Sequence, residues 1–376
     1  MLWLMKMPRP TLICSLLALA LIGSAPVAAQ TLRAVPVVKG LQDAWAMAFL
    51  PEGRMLITEK AGRLRLVTAT GQVSEPLAGL PAVSAGGQCG LLDVVLDPAF
   101  ASNQRIFFTF AEPAAAGESG NSTAVGRARL VNDKLEEVRT IFSQKPKISS
   151  RNHCGSRIVF DRSGHLLVGL GDRFSGKDEA QNLANHIGKV IRIDADGQAP
   201  ADNPFIGRAG AAPEIFSLGH RNIQGAAVNP ATGEMWATEH GPQGGDEVNR
   251  VQAGRNYGWP LVTFGRNYGL GTRIGEAGPK AGFEQPLRRW LPTSVAPSGL
   301  AFLSSDRYPG WKGNLFMGTL RGQTLIRLTL DGNAVTAEER LLENLGARIR
   351  DVRQGPDGWL YVLTDGSEGR VLRLQR

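Results

Sequence analysis

The sequence holds only three cysteines and five histidines among 376 residues. A chain so long with so few cysteines is no disulfide scaffold, and a hydrophobic core must hold it together. It contains no GxSxG elbow, P-loop, dinucleotide fingerprint or HExxH pair, so serine-hydrolase, nucleotide-driven, Rossmann-type and zincin chemistry lack support. The 42 Lys+Arg and 34 Asp+Glu are dispersed along the chain. Nucleic-acid binding calls for basic clusters interleaved with aromatics, and these are missing.

No apolar run reaches the roughly 20 residues that span a bilayer. The run at 11–22 follows Lys6 and Arg9 and leads to the small residues Val27-Ala28-Ala29, the layout of a cleavable secretory signal. Cys14 does not make a lipoprotein signal, because Ile13 stands where such signals want Gly or Ala. The expectation is a leader at 1–29 and a single domain at 30–376, exported to the periplasm without a stable membrane anchor. Losing Lys6 and Arg9 and no acidic residue lowers the formal charge from +8 to +6.

A pattern of apolar strand, Pro/Asp/Gly turn and second apolar strand recurs six times, at 44–60, 91–112, 156–172, 223–240, 298–320 and 349–365. Each copy is rich in Val, Ile, Leu and Phe over five to seven residues, which is strand chemistry. GRLRLVTA, GKVIRIDADG, TLIRLTLDG and GRVLRLQR supply further alternating strands. A long 3.6-residue period is missing, with 178–186 the one helical candidate. Six copies with uneven spacing and 46 glycines predict an all-β, six-bladed β-propeller of four-stranded antiparallel blades, with insertions in its loops. The last strand, 371–376, is expected to close the ring beside 32–38. A β-sandwich or two all-β domains is the competing architecture.

Three constellations carry chemistry. TEHGPQGGDEVN, beginning at Thr238, sets Glu239, Asp246 and Glu247 among glycines. Ca²⁺ takes carboxylates together with backbone carbonyls, which a Gly/Pro-rich loop turns inward; a solvated loop reads equally well. An EF-hand is excluded because IDADG at 193–197 lacks the acidic twelfth position. His153, in a loop just before a strand, is either a general base or a structural histidine like His165, His186, His220 and His240. Arg221, Arg321, Arg348 and Arg350 stand at blade entrances, where they either converge on an anionic ligand or solubilise the surface. NST at 121–123 fits a glycosylation sequon.

GGQCGLLDVVLDPAF, NHCGSRIVFDRSGHLLVGLGDR, FSLGHRNIQGAAVNP, EHGPQGGDEVNRVQAGRNYGWP and IRDVRQGPDGWLYVLTD resemble the signature segments of the soluble quinoprotein sugar dehydrogenases, in particular their aldose sugar dehydrogenase branch, over about 40–374. The resemblance implies an enzyme that oxidises aldoses at the anomeric carbon to lactones with pyrroloquinoline quinone (PQQ) and calcium. It implies that His153 takes the anomeric hydroxyl proton as hydride passes to the quinone, helped by Arg221. Gln88, Arg221, Asn222, Tyr268, the strip Thr319-Leu320-Arg321 and the strip Arg348-Ile349-Arg350 match cofactor contacts. Gly241 and Pro242 match the loop that holds the cofactor's calcium, while Glu247 and Tyr257 resemble a second, structural calcium site. Asp172 is a candidate for a substrate hydroxyl or a strand-end turn. A monomer with an unidentified electron acceptor is expected.

Cys89 and Cys154 depart from that pattern, which has Gly and an aromatic residue there. Since Gln88 and His153 should approach one cofactor, their neighbours Cys89 and Cys154 are expected to be close, as a disulfide, a thiol pair or two independent fillers. A calcium-dependent propeller lactonase and a non-catalytic propeller binding a glycan or partner are the rival functions.

Overall fold

The computed structural model describes residues 32–376, so the expected leader lies outside the described residues. Six four-stranded antiparallel sheets follow one another along the chain. Their first strands, Ala44–Phe49, Leu91–Leu96, Gly155–Phe160, Ile223–Val228, Pro297–Phe302 and Ile349–Gln354, contact one another in sequence. The sixth also contacts the first, so the ring is closed. Blade 6 takes its outermost strand from the start of the domain, with Arg33–Leu41 antiparallel to Gly369–Gln375 and Arg33 opposite Gln375. The predicted closure is therefore present. At 178–186 the structure has only a short 3₁₀ turn, Lys177–Gln181.

The strands read as nearly continuous apolar runs because each blade is buried on both faces. Met55 and Ile57 turn into the cluster shared with blade 6, while Leu56 between them enters the cluster shared with blade 2, as the two-residue period of a strand requires. Every one of the six blade-to-blade interfaces has such a cluster. Hydroxyls latch neighbouring blades: Thr58 Oγ1 donates to Leu92 O at 2.5 Å, Thr109 Oγ1 to Ser156 O at 2.9 Å, and Thr238 Oγ1 to Ser298 O at 2.9 Å.

At the axis the core turns ionic. Arg157 of blade 3 pairs with Asp93 of blade 2 at 3.2 Å and Asp351 of blade 6 at 3.0 Å. Its guanidinium also lies 4.0 Å from the ring centroid of Trp45 in blade 1, and its Nε donates to Gln224 O of blade 4 at 2.7 Å. One side chain touches four other blades only where all inner strands converge. Arg353 completes the hub, 3.0 Å from each of Asp93 and Asp351. Two carboxylates thus balance two guanidiniums with no net charge in a water-poor centre, which offsets much of the desolvation cost.

Removing one partner leaves an uncompensated buried charge, so Asp93→Ala is expected to destabilise by about 3–5 kcal/mol. A lower urea midpoint than wild type checks this, and an unchanged midpoint contradicts it.

Candidate functional site

Strand register decides where the candidate residues fall. The start of each first strand pairs with the end of the second: Gly155 with Leu170, Ile223 with Glu239, Pro297 with Thr319, Ile349 with Thr364. Gln88, His153, Arg221 and Arg348 sit at or just before first strands. Asp172, Gly241 and Arg321 lie just after second strands. All therefore belong to one rim of the propeller, although they are spread over more than 250 residues.

His153 is buried, and its Nδ1 lies 2.6 Å from Asp172 Oδ1. The same Oδ1 accepts Phe174 N–H at 2.8 Å, and Oδ2 accepts the Trp259 indole N–H at 2.8 Å. Because the carboxylate acts as acceptor throughout, the proton belongs on Nδ1 and the Nε2 lone pair is left for a ligand. With both oxygens occupied, Asp172 is better placed to orient His153 than to grip a substrate hydroxyl, although it lines the cavity. Burial holds the His153 pKa below 6.5; Asp172 opposes the shift, and the charges of Arg221 and Arg173 reinforce it. The imidazole is thus kept neutral. It opens on a cavity of about 340 Å³ shared with Asp172, Arg221, Pro242, Trp259 and Tyr268.

Arg221 is also buried. Its Nη1 donates to the carbonyls of His240 at 2.8 Å and Gly241 at 2.7 Å, and its guanidinium lies 5.2 Å from the Trp259 ring centroid. The loop it touches is tied down by Asp246, which accepts Gly241 N–H at 2.9 Å and the N–H groups of Val295 at 2.7 Å and Ala296 at 2.8 Å. Gly241 admits no side chain, since a Cβ there would run into the backbone of Gly244 and Gly245. His240 donates Nε2–H to Pro297 O at 2.7 Å, and burial pushes its pKa down to about 3.

Of the remaining arginines, Arg350 is buried, with Nη1 on Gln224 Oε1 at 3.0 Å and Nη2 on Asp365 at 3.2 Å. Arg348 meets the same carboxylate at 3.1 Å, and Arg321 is exposed. Among the described residues, the buried Nε atoms of Arg221 and Arg350 have no hydrogen-bond partner. In the two expected strips, Leu320 and Ile349 are buried, and Thr319 Oγ1 bonds Thr324 O at 2.8 Å. Leu320 and Ile349 therefore have only backbone to offer a ligand at this rim. Asn222 Oδ1 accepts Gly155 N–H at 3.2 Å, Gln88 Oε1 accepts His153 N–H at 2.9 Å, and Tyr268 is 60% exposed at the cavity mouth.

A second, small cavity beside Arg221 is lined by Glu239, Glu247 and Tyr257. Glu239 binds His220 Nδ1 at 2.6 Å and Arg221 N–H at 2.9 Å. Glu247 has Asn249 as its partner at 3.1 Å, and desolvation together with Glu239 pushes its pKa up to about 8 although part of it stays accessible. Two near carboxylates that repel in this way suit a bound cation. Among the described residues no three His, Cys, Asp or Glu side chains converge as a metal site; any ion here would lean on backbone carbonyls.

Cys89 and Cys154 are joined in a disulfide with Cα atoms 5.7 Å apart, placing a covalent bond directly under Gln88 and His153. Asn121 of the sequon is buried, and its Nδ2 donates to Ser150 O at 3.1 Å, so it serves the fold. The other histidines have structural partners: His165 with Arg192 at 3.0 Å, His186 with Glu214 at 3.2 Å, and His220 with Ser217 at 2.8 Å. Sequence reasoning missed Trp259 and Arg173. Trp259 lies in the quoted segment NYGWP, yet nothing local reveals a contact with a residue 87 positions away.

The sequence profile of the Glucose / Sorbosone dehydrogenase family matches residues 41–373. The chain is 48% identical over 339 residues to the Aldose sugar dehydrogenase YliI of Escherichia coli (strain K12), covering 89% of this chain and 90% of that protein. The structure is similar to that of the soluble aldose sugar dehydrogenase from Escherichia coli in its apo-form, with TM-score 0.88, 46% identity and coverage of 92% and 99%. It is also similar to the PQQ-bound form of an aldose sugar dehydrogenase from Streptomyces coelicolor, with TM-score 0.77, 29% identity and coverage of 92% and 98%.

In ¹⁵N-histidine-labelled apo-protein, His153 should titrate below 6.5 and, in Asp172→Asn, lower still, because the interaction with Asp172 raises it. The sign follows from linkage. Between the folded pKa and 6.5 the unfolded chain binds more protons, so the contribution of His153 to stability is complete above 6.5 and declines as pH falls. An imidazole midpoint at or above 6.5 contradicts the assignment.

Proposed function

The chain belongs to the Glucose / Sorbosone dehydrogenase family of sugar oxidoreductases, and we propose that it oxidises aldoses at the anomeric carbon to lactones, using PQQ and calcium. The observation that carries this reading is a buried neutral imidazole, backed by a carboxylate, opening on a cavity it shares with a buried arginine. Its relatives support it: one is named an aldose sugar dehydrogenase, and another was solved as a PQQ-bound form.

The donor set fits the cofactor. PQQ carries three carboxylates, and this rim offers Arg221, Arg321, Arg348 and Arg350 as charge-assisted partners, two of them with a buried Nε still unbonded. Gln88, Asn222, Tyr268 and the backbone of the 319–321 and 348–350 strips would supply the remaining contacts to the cofactor. For calcium, the carbonyls of Gly241 and Pro242 are hard oxygen donors on a loop that Asp246 holds rigid. Glu247 and Tyr257 would hold a second, structural calcium beside the small cavity.

When bound, PQQ supplies a two-electron acceptor and its calcium a Lewis acid that favours negative charge there. The chain does the rest. His153 Nε2 takes the proton of the anomeric hydroxyl as the C1 hydrogen leaves as hydride, forming the lactone carbonyl. Asp172 keeps Nδ1 protonated and stabilises the resulting imidazolium, and Trp259 keeps Asp172 in place. Arg221 sets a fixed positive charge where negative charge develops, at no reorganisation cost.

Export to the periplasm is supported by the signal-like layout of 1–29 and by the disulfide, which persists in oxidising compartments. Among the described residues no helix is long and apolar enough to cross a membrane. The electron acceptor is a separate partner.

His153→Ala should lower kcat by roughly 10²–10⁴-fold with PQQ affinity nearly unchanged, measured by single-turnover kinetics and a binding titration. Normal turnover in that variant would remove His153 from the mechanism. Arg350→Ala should act first on binding, weakening PQQ by about 10- to 100-fold, the worth of a charge-assisted hydrogen bond. An unaltered Kd would place Arg350 outside the cofactor site.

A further inference from the structure

The loop that presents His153 is held in an uncommon backbone state. His153 has φ +50°, Ser156 φ +98°, Arg173 φ +59° and Phe174 φ +64°. Among the described residues, four of the twelve non-glycine residues with positive φ thus lie in the two segments that meet at the His153–Asp172 pair. A left-handed conformation is strained for an L-residue and persists only where its surroundings over-determine it. Without such surroundings the loop would relax, and His153 would move away from Asp172.

The surroundings are specific. Gln88 N–H donates to Arg151 O at 2.8 Å, and Gln88 Oε1 accepts His153 N–H. One residue further along each segment, the Cys89–Cys154 disulfide makes the same link covalent. Over it lies Arg173, fully buried, with Nη1 against Cys154 Sγ and 3.4 Å from Cys89 Sγ. Its Nη2 reaches Asn121 Oδ1 and, at 2.7 Å, Ser150 O of the histidine loop. The Arg173 N–H donates to His153 O at 3.3 Å. Arg173 is also the residue after Asp172. One guanidinium therefore ties the disulfide, the histidine loop and the segment bearing the orienting carboxylate into a single unit.

A buried guanidinium with no carboxylate bonded to it is costly. Burial pulls the Arg173 pKa down to about 10, and its nearest acid, Asp172, is engaged with His153 and Trp259. Thr58 and Thr109 show that neutral side chains suffice to latch blades elsewhere in this fold. Stability alone does not account for a charged group at this position.

We propose that Arg173 and the Cys89–Cys154 disulfide form a clamp that positions His153 against Asp172 for proton abstraction, acting through the histidine loop and touching neither substrate nor cofactor. This rests on His153 being the base. Four ionisable groups act on its charge: Asp172, Arg173, Arg221 and His240. Of these, the clamp controls the distance to the first.

The test uses the full chain in two variants, Cys89→Ala/Cys154→Ala and Arg173→Gln, the second of which leaves the disulfide in place should the first fail to fold. Reconstituted with PQQ and Ca²⁺ and assayed with glucose, both should lose about 10- to 100-fold in kcat, the scale expected when a reacting group is displaced by about 1 Å. KM and PQQ affinity should stay within about twofold. In labelled apo-protein, the downfield Nδ1 proton of His153 should weaken in both variants. Wild-type kcat in a folded variant overturns the clamp. So does a kcat loss with an unchanged Nδ1 signal, which would mark a merely structural role. If His153→Ala itself retains turnover, the reading of the base has failed instead, so the two failures are distinguishable.

Discussion

Six sheets can close into a ring only if their inner strands meet at an axis, and in this protein that meeting is ionic. Arg157 spans the centre from blade 3 to blades 1, 2, 4 and 6, and Asp93, Asp351 and Arg353 neutralise it. The hub sets the angular order of the blades in a way that interchangeable aliphatic contacts cannot, because each charge has a designated partner at a fixed distance. It also leads into the rim. Arg157 Nη2 donates to Arg350 O at 3.2 Å, and Arg350 Nη1 bonds Gln224, whose carbonyl Arg157 holds. Arg350 at the rim is thus one hydrogen-bonded layer from the element that fixes the fold.

At this rim, charge is arranged asymmetrically. His153 and His240 are kept neutral by burial, while Arg221 and Arg350 present guanidiniums whose buried Nε atoms have no hydrogen-bond partner among the described residues. The acidic side chains are already committed: Asp172 to His153, Asp246 to backbone N–H groups, and Asp365 to Arg348 and Arg350. What remains available is one neutral imidazole and several cations, the combination that the proposed binding of a polyanionic quinone and removal of a proton beside it would require.

Much of this was legible in the sequence for a physical reason. A blade is built from consecutive residues, so its strand–turn–strand pattern is local, and all six copies coincide with real strand pairs. The closure by 33–41 was also readable, since the C-terminal segment supplies only three strands to the last blade and 33–41 is the strand that belongs to no other blade. The hub was not readable. Asp93 in LLDVV and Arg157 in GSRIV are lone charges in apolar strands, and nothing local says that they meet. The pairing of His153 with Asp172 was missed in the same way. Both residues stand out in the sequence, but Asp172 reads there as a substrate or turn residue because the partners that orient it, His153 and Trp259, come from two distant segments. The neighbouring cysteines were correctly expected to be close, whereas Arg173 over them carries no sequence signal beyond being an arginine.

The central claim is that this rim takes up PQQ with calcium and delivers aldose electrons to it. The direct measurement is reconstitution: PQQ and Ca²⁺ are titrated into the metal-free apo-protein, bound quinone is followed by absorbance, and reduction of an artificial dye is followed after glucose is added. The account predicts saturable binding near one PQQ per chain, together with dye reduction that needs both additions and disappears with a chelator. Absence of quinone binding, together with absence of dye reduction across a panel of aldoses, would contradict it.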